Sequence, residues 1–288
     1  MIYIQNILKS DIKIIVEKVK VEGNGVILLT GPSSCGKGEV AKSLCKFLSI
    51  PESKHLSMGD ILRRTVKKAK ENPEFLNQLS SIYLISDNVS IFNENMNRPE
   101  IVQKAKAYIE EVQKYFGTGS KLISQFNWLE FCIEKGLLVP DEWTVKILDA
   151  LLVNSPEFLE GIFILDGYPR TIIAAEYMLK TLYNLRISII KVIHLSITKE
   201  QMKIRAYGRN RSDDTEESLE RRYQFYIDKV QPCIDYLKKY LGSSVVMIDA
   251  HQPVYNENGQ IDIQASINEV TISVMQALGL PRFLLDIE

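Results

Sequence analysis

The stretch GVILLTGPSSCGKGEV, Gly25 to Val40, decides the fold. Val26 to Thr30 is a short β-rich run, Gly31, Gly36 and Lys37 satisfy G-x-x-x-x-G-K, and EVAKSLCKFL continues with helical apolar spacing. Strand, glycine loop and helix in that order are the context of a phosphate-binding loop. Glycines let the backbone curl so that successive N–H groups point inward, the helix start adds positive potential, and Lys37 supplies a movable cation for β- and γ-phosphates. A dinucleotide loop would need G-x-G-x-x-G after the strand, whereas the GNG at Gly23 precedes it. A lysine in such a loop usually opens onto Ser or Thr; here Gly38 and Glu39 follow Lys37.

Downstream, GIFILDGY (161–168), ISIIKVIHLSI (187–197) and SSVVMIDA (243–250) are apolar runs without polar alternation. Such runs suit strands of a parallel sheet buried on both faces, with intervening helices as crossovers. The expected fold is α/β, a P-loop NTPase core with a parallel sheet flanked by helices. From about Arg64 to Lys135 the alternation stops: PEIVQKAKAYIEEVQKYFG (99–117) predicts one helix ending at Gly117, and SSIYLISD (80–87) is ambiguous. Residues 3–20 predict an amphipathic N-terminal helix before the Gly23 turn. The expected organisation is therefore an N-terminal helix and P-loop part over 1–63, an enlarged helical insert over 64–135, and the remainder of the core over 136–288.

Composition narrows the partners. The chain has 288 residues, 45% of them hydrophobic, with 35 basic and 36 acidic residues for a net charge of −1. That balance lacks the basic excess of a nonspecific nucleic-acid binder, so an anionic ligand must be held by a local cluster. Four separated cysteines, Cys35, Cys45, Cys132 and Cys233, form no C-x-x-C pair and suggest neither zinc nor a disulfide framework. No apolar run reaches membrane-span length and the N-terminus lacks a cleavage site, so no membrane partner and a cytoplasmic protein are expected.

Beside these motifs, GKG in place of GK[ST] resembles the nucleoside monophosphate kinases, adenylate kinase in particular. HLSMGDILR (55–63), GLLVPDEWTV (136–145), GIFILDGYPRT (161–171) and GRNRSDDTEESLERRYQFY (208–226) resemble further segments of that family, in its order. The resemblance implies ATP as phosphoryl donor, a nucleoside monophosphate as acceptor, and magnesium. Donor binding would fall to Gly31, Ser34, Cys35, Gly36, Lys37, Gly38, Glu39, Arg209 and Gln252. Acceptor binding would fall to Ser57, Met58, Arg63, Leu138, Val139, Gly167, Arg170, Ala174, Arg211 and Arg222. Lys37, Arg170, Arg209, Arg211 and Arg222 would be catalytic, Asp213 and Asp214 would orient the lid arginines, and Asp166 would hold magnesium, through water. The chemistry is coherent without the family: transfer between two anionic nucleotides needs positive charge and in-line positioning, and a guanidinium fork pairs two phosphate oxygens.

Three departures from the family pattern bear on function. Glu39 stands where Thr is usual, beside the α-phosphate; two like charges about 5 Å apart at an effective dielectric of about 20 repel by roughly 3 kcal/mol, about a hundredfold in affinity. Ala174 replaces the adenine-reading Gln and Met58 a Thr, which leaves acceptor choice open. Only Asn210 separates Arg209 from Arg211, a minimal lid within 205–214, so the insert is expected to cover the site or make a dimer contact. AMP is the expected acceptor, against CMP or UMP, since GPSSCGKG also resembles the cytidylate kinase loop. A nucleotide-binding regulator with weakened transfer is the reading from outside enzymes. His55, His194 and His251 are expected to be structural.

Overall fold

The computed structural model describes residues 23–117, 123–208, 215–280 and 282; the helix expected over 3–20 lies outside them. Five strands form one parallel sheet: β1 Gly25–Thr30, β2 His55–Ser57, β3 Ile162–Asp166, β4 Ser188–Ser196 and β5 Val245–Asp249, in the order β2-β3-β1-β4-β5. The central strands β1 and β3 are buried along their whole length because both faces are covered. Successive side chains of a strand point to opposite faces. Val26, Leu28, Phe163 and Leu165 accordingly enter one core, and Ile27, Leu29, Ile162 and Ile164 enter the other. A short hairpin, β6 Val254–Tyr255 with β7 Ile261–Asp262, follows the sheet.

Helices fill the two sides. α1 Lys37–Phe47, after the glycine loop, buries Val40, Ala41, Leu44 and Cys45 in the second core, together with Val270, Val274 and Met275 of the last helix. The first core holds α2 Met58–Glu71, α3 Pro73–Ser81, α4 Pro99–Ala107, α5 Ile109–Phe116, α6 Gln125–Glu134 and α7 Asp141–Asn154. Beyond β3 come α8 Ile172–Asn184, α9 Lys199–Gly208, α10 Glu216–Phe225, a π-helical turn Tyr226–Val230, α11 Gln231–Leu241 and α12 Ile263–Ala277.

Two features of the 64–135 stretch differ from the sequence reading. Its first helix, α2, starts at Met58 and runs across residue 64, while Val66, Leu79, Ile91, Val112, Trp128 and Phe131 share one continuous core with the sheet. The 99–117 helix ends at Gly117 in the left-handed conformation as expected, yet it breaks at Tyr108, with φ −110° and ψ 16°. There the Tyr108 ring packs 6.4 Å from Trp128 and 6.3 Å from Phe131, so tertiary packing overrides an uninterrupted local helix pattern. SSIYLISD forms the end of α3 and an irregular segment, with no strand.

Candidate active site

The glycine loop is closed by steric necessity. At Gly31, φ is +142° and an added Cβ would lie 2.3 Å from the Leu195 carbonyl oxygen and 2.9 Å from Cys35 Sγ. Gly36, with φ +93°, turns the chain into α1, whose Glu39 and Val40 amides donate to the Gly36 carbonyl at 3.1 and 3.0 Å. Ser34 adopts φ +61°, a region that L-residues rarely occupy, and its buried Oγ has no hydrogen-bond partner. Lys37 Nζ curls back to the Pro32 and Gly31 carbonyls at 2.8 and 3.1 Å and to Cys35 Sγ at 3.5 Å. A polyanion entering the loop could take over that ammonium at the cost of weak contacts to its own backbone. Gly38 opens α1 in clear space, and Glu39 is exposed, paired with Lys42 at 2.9 Å. Cys35 is buried beneath the loop.

On the other side stands Asp166, the last residue of β3, aligned with Ser57 of β2 and Leu29 of β1. Its carboxylate is buried, with Oδ2 3.8 Å from His55 Nε2 and Oδ1 without a hydrogen-bond partner among the described residues. A buried carboxylate oxygen left unpaired is costly. It fits a hydrated cation. Arg170, anchored through Nε to the Gly167 carbonyl at 2.8 Å, acts electrostatically on Asp166 and is itself within the field of Arg63. Arg63 pairs with Asp60 at 2.5 Å across the first turns of α2. Burial alone would raise the Asp60 carboxyl, but Arg63, Arg64 and His55 outweigh it and hold the group below the usual carboxylate range. Two guanidinium groups and a carboxylate thus converge at the C-terminal edge of β2 and β3, outside the ends of parallel strands where α/β sheets bind ligands.

The remaining expected residues fall into three groups. Arg222, in α10, lies over the turn at Gly136, where an added Cβ would be 3.3 Å from one of its terminal nitrogens. That turn leads directly to Leu138 and Val139. Val139, Met58 and Ala174 are buried, Ala174 completely, and Gly167 takes φ +75° beside Arg170. Gln252 follows β5, donating to the Asp249 carbonyl at 2.8 Å. Arg209, Arg211, Asp213 and Asp214 lie outside the described residues.

One cation escaped the sequence reading. Arg205, in α9, donates to the Cys35 carbonyl at 3.3 Å and to the Ala250 carbonyl at 2.7 Å, joining the glycine loop to the segment that carries Gln252. Burial lowers its pKa, opposed by Cys35 and Asp249. No motif marks it; only its place one helical turn before Gly208-Arg209 could have pointed to it.

Residues 123–241 match the family model described as adenylate kinase. Adenylate kinase of Alkaliphilus oremlandii (strain OhILAs) is 26% identical over 284 residues, covering 88% of this chain and 98% of that protein. Adenylate kinase of Caldicellulosiruptor bescii is 28% identical over 285 residues, with 88% and 99% covered. That of Clostridioides difficile (strain 630) is 26% identical over 244 residues, with 74% and 86% covered. Among the described residues no helix is long and apolar enough to cross a membrane. A glycine loop at the end of a central parallel strand, together with these similarities, supports an adenylate kinase-like nucleoside monophosphate kinase, a phosphotransferase on a P-loop α/β core.

Proposed function

We propose that the chain transfers the γ-phosphoryl group of magnesium-bound ATP to AMP, giving two molecules of ADP. The observation that carries this reading is the unpartnered Asp166 Oδ1 within the field of Arg170, which is in turn within that of Arg63. The names of the similar adenylate kinases point to AMP as the acceptor.

In this reading the loop amides from Gly31 to Gly38 and Lys37 hold the donor phosphates, and Arg205 braces the loop against the Ala250 segment, beside Gln252. Arg63 and Arg170 grip the acceptor phosphate, with Arg222 over the Gly136 turn closing that side. Asp166 would hold the metal ion through water, and the Ser34 hydroxyl, which also lacks a partner among the described residues, would serve the donor phosphates. Bound magnesium supplies charge neutralisation between donor phosphates. The protein contributes position and field, since phosphoryl transfer asks little covalent work of it. Arg209 and Arg211 are assigned to the donor and bridging phosphates, and Asp213 and Asp214 to their orientation. Glu39, turned to Lys42, keeps its charge out of the phosphate cradle.

Pyrimidine acceptors are the second reading. It is favoured by Ala174, which is completely buried and has no side-chain hydrogen-bonding group with which to read adenine. The test is a panel of AMP, CMP, UMP, GMP and their deoxy forms with ATP and magnesium, followed by detection of the diphosphate. The expected result is the highest kcat/KM with AMP. A higher value with CMP or UMP would replace AMP by a pyrimidine, and ATP binding with no diphosphate from any acceptor would replace the enzyme by a nucleotide-binding regulator.

A further inference from the structure

The stretch that distinguishes this chain from the usual family pattern, the helical region within 64–135, touches the acceptor side at a half-buried cation. Lys104, in α4, donates from Nζ to the Leu138 carbonyl at 3.0 Å. Leu138 belongs to the segment assigned to the acceptor. Four residues along, Glu142 pairs with Arg98, just before α4, at 2.8 Å. Between them Asp141 accepts a hydrogen bond from Thr171 Oγ1 at 2.8 Å, and the same oxygen accepts from the Ala174 amide at 3.0 Å, capping α8. Thr171 is the residue after Arg170. A continuous run of polar contacts therefore leads from α4 through 138–142 to the residue beside the acceptor-phosphate arginine.

The electrostatics agree with a purpose-built junction. Burial drives the Lys104 pKa down, opposed by Cys132 and Asp141. Burial likewise raises the Asp141 carboxyl, opposed by Thr171, Lys104, Lys229 and Arg98. A lysine half removed from water costs more than a surface lysine, and a single carbonyl is a poor reason to keep one there. Methionine would fill the same volume without a charge.

We propose that Lys104 is a positioning residue for the acceptor: its ammonium, bonded to the Leu138 carbonyl, fixes the acceptor segment 138–142 and, through the Asp141–Thr171 hydrogen bond of that segment, the loop that carries Arg170. The inference rests on the assignment of Leu138, Val139 and Arg170 to the acceptor. It gives the enlarged helical stretch a role in monophosphate capture, where the sequence alone suggested a cover or a dimer contact.

The experiment measures AMP and ATP binding separately by calorimetric titration, with kinetics and thermal melting, for the full chain and for Lys104→Met, Lys104→Arg and Arg98→Gln. If another monophosphate leads the acceptor panel, it replaces AMP. Lys104→Met is expected to weaken monophosphate binding about tenfold, the scale of one charge-assisted hydrogen bond, with ATP binding unchanged. The KM for the monophosphate should rise in parallel while the KM for ATP does not move. Lys104→Arg should restore most of the loss, and Arg98→Gln should show a smaller loss with the same acceptor selectivity. A folded Lys104→Met with unaltered monophosphate affinity, or with both nucleotides weakened equally, would overturn the proposal. Should Lys104→Met not fold, Arg98→Gln decides, and unchanged monophosphate affinity there overturns it. Wild-type chain that binds monophosphate yet makes no diphosphate would sink the kinase reading alone, because the titrations still judge Lys104. Absence of monophosphate binding by the wild type would sink both.

Discussion

Tyr226 Oη lies 2.9 Å from Nε2 of His194, and the two rings stack 5.7 Å apart at 18°. On its other side His194 meets Thr30, the residue before the glycine loop, with Nδ1 2.9 Å from Oγ1. Tyr226 donates onward to Gln231 Oε1 at 3.0 Å. With Thr30 donating to Nδ1 and Nε2–H donating to Tyr226, a neutral imidazole is fully satisfied. The chain of bonds ties the loop entrance to the π-helical turn one turn past Arg222.

Acid should attack this pair. His194 is fully buried, and burial, with Lys37 adding to it and Asp235 opposing, pulls its pKa from 6.5 to about 4. The unfolded chain therefore binds the extra proton first. Stability falls as pH drops from about 6.5 to about 4, by roughly 3 kcal/mol in all, with no further loss from this group below that. Urea unfolding across this window should show the loss in the wild type and a much flatter acid limb in His194→Gln; equal slopes would refute the assignment.

Arg170→Ala should abolish ordinary turnover, lowering kcat/KM by at least about a hundredfold, because a preorganised charge at the transferring group is removed. The melting temperature of this variant should hardly change, since among the described residues the Arg170 guanidinium bonds only to the Gly167 carbonyl within its own loop. Steady-state kinetics and a thermal melt together check it, and undiminished transfer would remove Arg170 from the site.

At position 39 the opposite direction is expected. Glu39→Thr should tighten ATP binding by about tenfold, less than the unscreened repulsion allows because Lys42 already neutralises the carboxylate. Lys42→Ala should weaken binding in the presence of Glu39 and have little effect in the Glu39→Thr background. A double-mutant cycle on the ATP Kd measures this, and additive effects would mean the pair is irrelevant to the loop.

Gly31→Ala should cost about 2 kcal/mol of stability or displace the loop, because its methyl would collide with backbone at Leu195. ATP binding should suffer more than AMP binding. An alanine variant with wild-type ATP affinity would show that the loop can breathe where the geometry says it cannot.

Much of this was written in the chain. β1, β3 and the second half of β4 are unalternated apolar runs because they lie inside a sheet covered on both faces, β5 is a partly exposed edge strand found by its apolar run, and the glycine loop announces itself by spacing. β2 was missed: three residues, His55–Ser57, are too short for periodicity, and the strand exists because it aligns with Ile164, Leu165 and Asp166. The break at Tyr108 was equally invisible, since it answers to Trp128 and Phe131 in another helix. Arg63 and Arg170 were legible through their motifs. Lys104 and Arg205 were not, because their partners, 34 residues away at Leu138 and 170 away at Cys35, are joined to them only by folding.

The single core shared by the sheet's underside and Val66, Leu79, Val112, Trp128 and Phe131 has a consequence for truncation. Trimming the region back toward a smaller arm would expose aromatic and branched side chains that nothing else covers, so short deletions meet an immediate penalty of misfolding. The region is thus a foundation of the domain, completing the packing beneath Leu28 and Leu165, and it admits substitution far more easily than removal.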